Sequence, residues 1–162
     1  MTRNPDDSER SNLIIVQPGI TSFTGRHSGR GLTFAEFSQM AHSIAGLARV
    51  KIVQLIESGV TPNFHLANVR TPGGSFAMLG HSAIPLVAFA KPLESCEIEF
   101  LDCDVISSSM AAFFPHIHVA TREELTRNIV EDDLKQLARV ERAQVNYWKP
   151  RTVGELAFNW WD

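Results

Sequence analysis

The order of patterned segments predicts an α+β fold: a mainly antiparallel sheet with helices packed on one face, and further helices at the C-terminus. Three observations carry this. Thr33-Phe-Ala-Glu36 has the form of a capping box, and Phe34, Phe37, Met40, Ala41 and Ile44 follow it at helical spacing. Strand-like segments then succeed one another without helices between them, as in an antiparallel sheet and unlike a doubly wound nucleotide-binding sheet. Two more boxes, Thr121-Arg-Glu-Glu124 and Thr152-Val-Gly-Glu155, start helices near the end.

Taken in order, the polar segment 1–11 reads as a disordered arm ahead of one α+β domain over residues 12–162, a length that suits a single domain. Leu13-Ile-Ile-Val16 is an apolar run ended by Pro18-Gly19, as for a buried strand. Residues 19–32 hold Gly19, Gly25, Gly29 and Gly31 among polar residues and form a long loop. The helix opened by Thr33 is expected to continue to Ser58 and stop at Gly59, ahead of Pro62. A break near Gly46 would instead release Val50–Ile56 as a strand. Phe64–Val69 and Ser75–Leu79 flank Thr71-Pro-Gly-Gly74 as a hairpin. Ile84–Ala90, Glu97–Leu101 and His116–Val119 are further strands, and Ser107–Phe114 suits either helix or strand. Leu125, Ile129, Leu134, Leu137 and Val145 carry a helical pattern with a break at Glu131-Asp-Asp133. A last short helix is expected from Thr152 to Trp161.

Composition narrows the function classes. The chain is 44% apolar and 20% charged, as globular domains are. A net charge of −3 argues against a nucleic-acid partner, which calls for a basic face to displace counterions. Arg26, His27 and Arg30 form a local basic cluster. No run approaches the roughly 18 apolar residues of a membrane span. The first twelve residues lack the apolar core of a signal peptide, so a cytoplasmic protein is expected. Cys96 and Cys103 read as two thiols of a reducing compartment, with a disulfide or metal pair as the alternative.

Candidate chemistry is sparse. His116-x-His118 would place two imidazoles on one strand face, with Asp102, Asp104 and His81 as further donors for zinc or manganese. No third ligand stands at a fixed spacing, so no metal and no cofactor are expected. Gly25-Arg-His-Ser-Gly-Arg-Gly31 could cradle an anion ahead of a helix, but it matches neither phosphate-loop pattern. Gly80-His-Ser82 is not a nucleophile elbow. Cys103 lies between Asp102 and Asp104, whose charges disfavour a thiolate.

The C-terminus is the most distinctive segment. All three tryptophans, Trp148, Trp160 and Trp161, lie in the last fifteen residues. On a helix Val153, Leu156, Ala157 and Trp160 form one stripe, and Phe158 and Trp161 a second beside it. Trp160 is expected in the core. Tyr147, Trp148 and Trp161 are interface candidates, since large aromatics commonly anchor interfaces. Asp102 and Asp104, with Glu94–Glu99 and Glu131–Asp133, are acidic candidates for meeting a basic partner.

The pattern Trp148-x-Pro150, Gly154-Glu155, Phe158-Asn159 and Trp161-Asp162 resembles the C-termini of small bacterial proteins, some of which look like immunity proteins encoded beside polymorphic toxins. The resemblance covers about fifteen residues and brings no catalytic residues with it. It implies a small cytoplasmic protein that neutralises a toxin by binding it. The expected function is therefore non-enzymatic protein binding, without membrane or nucleic acid, and with self-association left open. The alternative is a small enzyme, such as a metal-dependent hydrolase, using His116, His118 and a nearby carboxylate.

Overall fold

A computed structural model describes residues 16–23 and 31–162. The proposed arm over 1–11, most of the strand at Leu13–Val16 and the glycine-rich stretch 24–30 lie outside the described residues. The described part is an α+β fold. It has helices α1 (Phe34–Ala48), α2 (Asp104–Phe113), α3 (Arg122–Thr126), α4 (Glu131–Lys135), α5 (Arg139–Trp148) and α6 (Val153–Ala157). Its strands are β1 (Lys51–Ile56), β2 (Phe64–Thr71), β3 (Gly74–His81), β4 (Leu86–Ala90), β5 (Phe100–Leu101) and β6 (His118–Val119).

The strands form one sheet in the order β1-β2-β3-β4-β5, antiparallel throughout that path. β6 runs parallel to β4, pairing Leu86 with His118 and Val87 with Val119. The hairpin expected at Thr71–Gly74 joins β2 to β3, with Thr71 and Gly74 as the closing pair. Side chains alternate across the pleat. Leu86, Ala88 and Ala90 of β4 therefore enter one core while Val87 and Phe89 enter another. The first core is completed by Leu125, Val145, Val153 and Leu156 from the C-terminal helices, the second by Phe37, Met40 and Ile44 of α1 with Ile106 and Met110 of α2. Helices thus cover both faces of the sheet and not one alone. Among the described residues no helix is long and apolar enough to cross a membrane.

α1 begins where its box predicts. Thr33 Oγ1 accepts the Glu36 N–H at 3.1 Å, and Glu36 Oε2 accepts the Thr33 N–H at 2.9 Å. Its end corrects the sequence reading. The helix does not run to Ser58. Arg49 adopts the left-handed conformation at φ 54°, and the Val50 N–H reaches back to the Ala45 carbonyl at 3.0 Å. This six-to-one closing bond is that of a Schellman ending, made here without glycine. The chain then extends as β1, where the β-branched Ile52 and Ile56 pair with Val69 and Leu66 of β2, a sheet partnership that outweighs helix propensity. Val53 sits at a bulge between the pairs Ile52–Val69 and Gln54–Asn68.

Three further boundaries differ. Of the strand expected over Glu97–Leu101 only Phe100 and Leu101 pair with β4, and Glu97 and Glu99 stay exposed. Of His116–Val119 only the last two residues are strand, because Ile117 N–H turns back to the Phe114 carbonyl at 3.0 Å. The last helix starts after Thr152 as expected, with Thr152 Oγ1 accepting the Glu155 N–H at 3.2 Å, but it ends at Ala157 and not at Trp161.

That early end has a cause in Asn63. Its Nδ2 donates to the Ala157 carbonyl at 2.8 Å, its Oδ1 accepts the Asn159 N–H at 2.9 Å, and its own N–H donates to the Asn159 carbonyl at 3.1 Å. One buried side chain therefore takes the groups that would have continued the helix and holds the tail as an extended strap. α6 can approach because residue 154 is glycine: a Cβ there would stand 2.4 Å from the Phe100 ring and 2.9 Å from the Leu125 carbonyl oxygen.

Candidate functional site

The strap decides which aromatics are core and which are surface. Phe158 is 2% exposed and touches the rings of Phe64, Phe100 and His81, each with centroids 5.8 Å away. Trp160, expected in the core, is only half-buried, with its ring edge-on to Phe64 at 5.2 Å. Extended backbone turns successive side chains to opposite sides, so the helical stripe that grouped Trp160 with Leu156 does not form. Phe158 takes the place assigned to Trp160.

The three aromatic interface candidates come together. Trp161 stacks on Trp148 with centroids 6.1 Å apart and planes 2° from parallel, and Tyr147 meets Trp148 edge-on at 5.1 Å. Phe23 closes the other end, 6.5 Å from Trp161. The row thus ties the 16–23 segment, the tail and the end of α5. Tyr147 is 76% exposed and Trp148 38% exposed. Trp148 Nε1 donates to Gln144 Oε1 at 3.1 Å, which fixes the indole along the helix. Beneath the row lies a groove of about 630 Å³, with Phe100, Leu125, Trp160 and Trp161 among its walls and Glu97, Lys149, Arg151 and Glu155 among its polar lining. A volume of this size falls within the range of ligand pockets.

Asp102 and Asp104 do not join this row, and neither lines the groove. Asp102 Oδ1 accepts the Arg122 N–H at 2.8 Å, compensating the start of α3. Asp133 is likewise committed. It forms a two-armed pair with Arg127 at 2.7 and 2.8 Å, and that guanidinium holds its carboxyl below the usual range against the opposing effect of burial. Cys96 and Cys103 are free, Cys96 exposed on the groove wall. Burial, and then the charges of Asp102 and Asp104, push the Cys103 thiol up.

His116 is exposed, and His118 is half-buried with Nε2 3.2 Å from Glu124 Oε2. Glu124 supplies the carboxylate of the enzymatic alternative, but its same oxygen closes the α3 box by accepting the Thr121 N–H at 2.7 Å. Burial would raise the Glu124 carboxyl; the His118 ring and the Thr121 N–H outweigh it and hold the group below its ordinary value. Among the described residues no three His, Cys, Asp or Glu side chains converge as a metal would require. His81, the other donor considered, is fully buried and committed. Its Nε2 donates to the Ile20 carbonyl at 2.7 Å, and its Nδ1 accepts the N–H groups of Ala83 and Ile84 at 3.0 and 3.2 Å.

One residue that sequence reasoning passed over organises the region. Glu141 of α5 is 0% exposed. Its Oε1 accepts the Gly19 N–H, the Thr21 N–H and the Thr21 hydroxyl at 3.0, 3.2 and 2.7 Å, and its Oε2 accepts the Ala138 N–H at 3.1 Å. The spacing Ala138-x-x-Glu141 is half a capping box, and that was the available signal.

Comparison of the chain with protein-family models, with curated proteins and with solved structures gave no match.

Proposed function

We propose that this chain is a non-enzymatic binding protein of the immunity type, which neutralises a bacterial toxin by direct contact. The observation that carries the reading is the exposure of Tyr147 at the end of a row of packed aromatic rings. Tyr147 is 76% exposed, yet its ring is held edge-on to Trp148, which is itself stacked on Trp161. An aromatic side chain already ordered before binding loses little conformational entropy on contact, and such residues dominate interface energetics. The resemblance of the tail to immunity proteins supports the choice of partner.

Affinity capture from the protein's own cells tests this, using the native chain and a Tyr147→Ala/Trp148→Ala variant as baits. The expected partner is retained by the native chain only. It arrests growth when expressed alone, and co-expression of the native chain, but not of the variant, relieves the arrest. A partner without toxicity, or one held equally by both baits, would overturn the reading.

The pairing of His118 with Glu124 favours the second reading, a small hydrolase. A turnover lost in His118→Ala at an unchanged melting temperature would support it.

A further inference from the structure

The helix that carries Tyr147 and Trp148 has a charge asymmetry opposite to that of the whole chain. The full chain is net −3. Over residues 139–151 the charged side chains are Arg139, Arg142, Lys149 and Arg151, all exposed, and the carboxylate of Glu141, which is buried. Glu141 points inward and its oxygens are occupied by the donors at Gly19, Thr21 and Ala138. Its carboxylate is thus turned away from solvent, and the charged side chains on the outer surface of α5 are all cationic.

At 100° per residue, Arg139, Arg142 and Asn146 share one side of the exposed arc of α5. Val140, Ala143 and Tyr147 share the adjoining side. Val140 is 45% exposed, so an apolar strip runs beside the cationic one. Among the described residues Arg139, Arg142 and Lys149 form no ion pair, and Arg151 lies a loose 3.7 Å from Glu155. The acidic side chains, by contrast, are partly engaged within the chain, Asp102 by the Arg122 N–H at the start of α3 and Asp133 by Arg127.

We propose that this face of α5 docks an acidic segment of a partner protein. Partner carboxylates lie against Arg139, Arg142 and Lys149, and a partner apolar side chain sits on Val140 and Tyr147. Complementary charge of this kind speeds encounter and fixes orientation, while the desolvated apolar contact supplies most of the affinity. A nucleic-acid strand is the lesser fit, because Glu97 and Glu155 line the groove under Trp148 and Trp161 and would repel phosphates following the aromatic row. The inference rests on the protein-binding reading but not on the partner's being a toxin.

Fluorescence anisotropy tests it with three labelled probes: a short peptide of alternating Glu and Leu, its Lys and Leu counterpart, and a single-stranded oligothymidine. The acidic peptide is expected to bind best, and its affinity to fall as salt rises. Arg139→Glu/Arg142→Glu should weaken it by roughly tenfold or more while leaving the melting temperature unchanged. The control Arg49→Glu/Arg70→Glu, at exposed positions after α1 and on β2, should leave binding intact. Equal binding of acidic and basic peptides, equal loss in the control, tightest binding of the oligothymidine, or no binding of any probe would each overturn the proposal. A captured partner that proves non-toxic would remove the immunity reading and leave this assignment standing if the acidic peptide still binds.

Discussion

Trp148 and Trp161 lie face to face, ring centroids 6.1 Å apart and planes 2° from parallel. One belongs to the last turn of α5 and the other to the extended strap after α6. Their contact joins two segments that the core already fixes separately. It orders an aromatic surface without placing it in the interior, and so separates residues that hold the fold from residues free to meet a partner.

The fold-holding role falls to Phe158. Its ring is enclosed by Phe64, His81 and Phe100, so Phe158→Ala leaves a cavity and should cost about 3–5 kcal/mol. Trp160→Ala, at a half-buried position, should cost less. Urea unfolding of both variants checks the order, and a larger loss for Trp160→Ala would return that residue to the core.

Asn63 is the lock of the strap. Asn63→Ala deprives the Asn159 N–H and the Ala157 carbonyl of their partners in a buried site. Each unsatisfied buried group costs about 1–3 kcal/mol, so the variant, with two such groups, should be destabilised by roughly 2–6 kcal/mol. Hydrogen exchange should also rise at Asn159 before it rises in β2. Uniform exchange across both would show that the strap has no independent lock.

His81 makes stability depend on pH. Burial lowers its pKa from 6.5 to about 4. The unfolded chain therefore binds the extra proton first as pH falls. The stabilisation is fully present above about pH 6.5 and is lost progressively between there and pH 4. Over that window the loss should be on the order of 3 kcal/mol. Denaturant titrations at stepped pH check it, and His81→Gln should flatten the slope in that window.

Gly154 allows α6 to lie against β5 and α3. Gly154→Ala places a methyl group into the Phe100 ring, and overpacking of this kind costs about 1–3 kcal/mol. The change would ordinarily favour a helix, so a melting temperature raised by the substitution would show that the close approach is not maintained.

Much of this was legible in the sequence because it is local. The boxes at Thr33 and Thr121 and the turn at Pro72-Gly73 state their geometry within four residues, and each stands where expected. What escaped depends on partners distant in sequence. α1 ends at Arg49 without the glycine that usually marks such an end, and the strand after it is secured only by β2. The tail leaves its helix because of Asn63, 96 positions from Asn159. Glu141 is marked in the sequence by no more than its spacing from Ala138, and its bonds to Gly19 and Thr21, some 120 positions away, reveal that it faces inward. For the candidate site, the sequence singled out Tyr147, Trp148 and Trp161 as interface candidates, and the fold brings their rings into one row. Its helical stripe misplaced Trp160, and the cationic outer face of α5 emerges only once Glu141 is seen to be buried.

The central claim is that Phe158 secures the fold while Tyr147 serves contact with a partner. The most direct measurement follows Tyr147→Ala in parallel for melting temperature and for binding of the captured partner. An exposed substitution should alter stability by no more than about 0.5 kcal/mol, leaving the melting temperature nearly unchanged. Loss of an interface anchor should weaken binding by about tenfold or more. A melting temperature that falls as far as that of Phe158→Ala, with binding retained, would contradict the account.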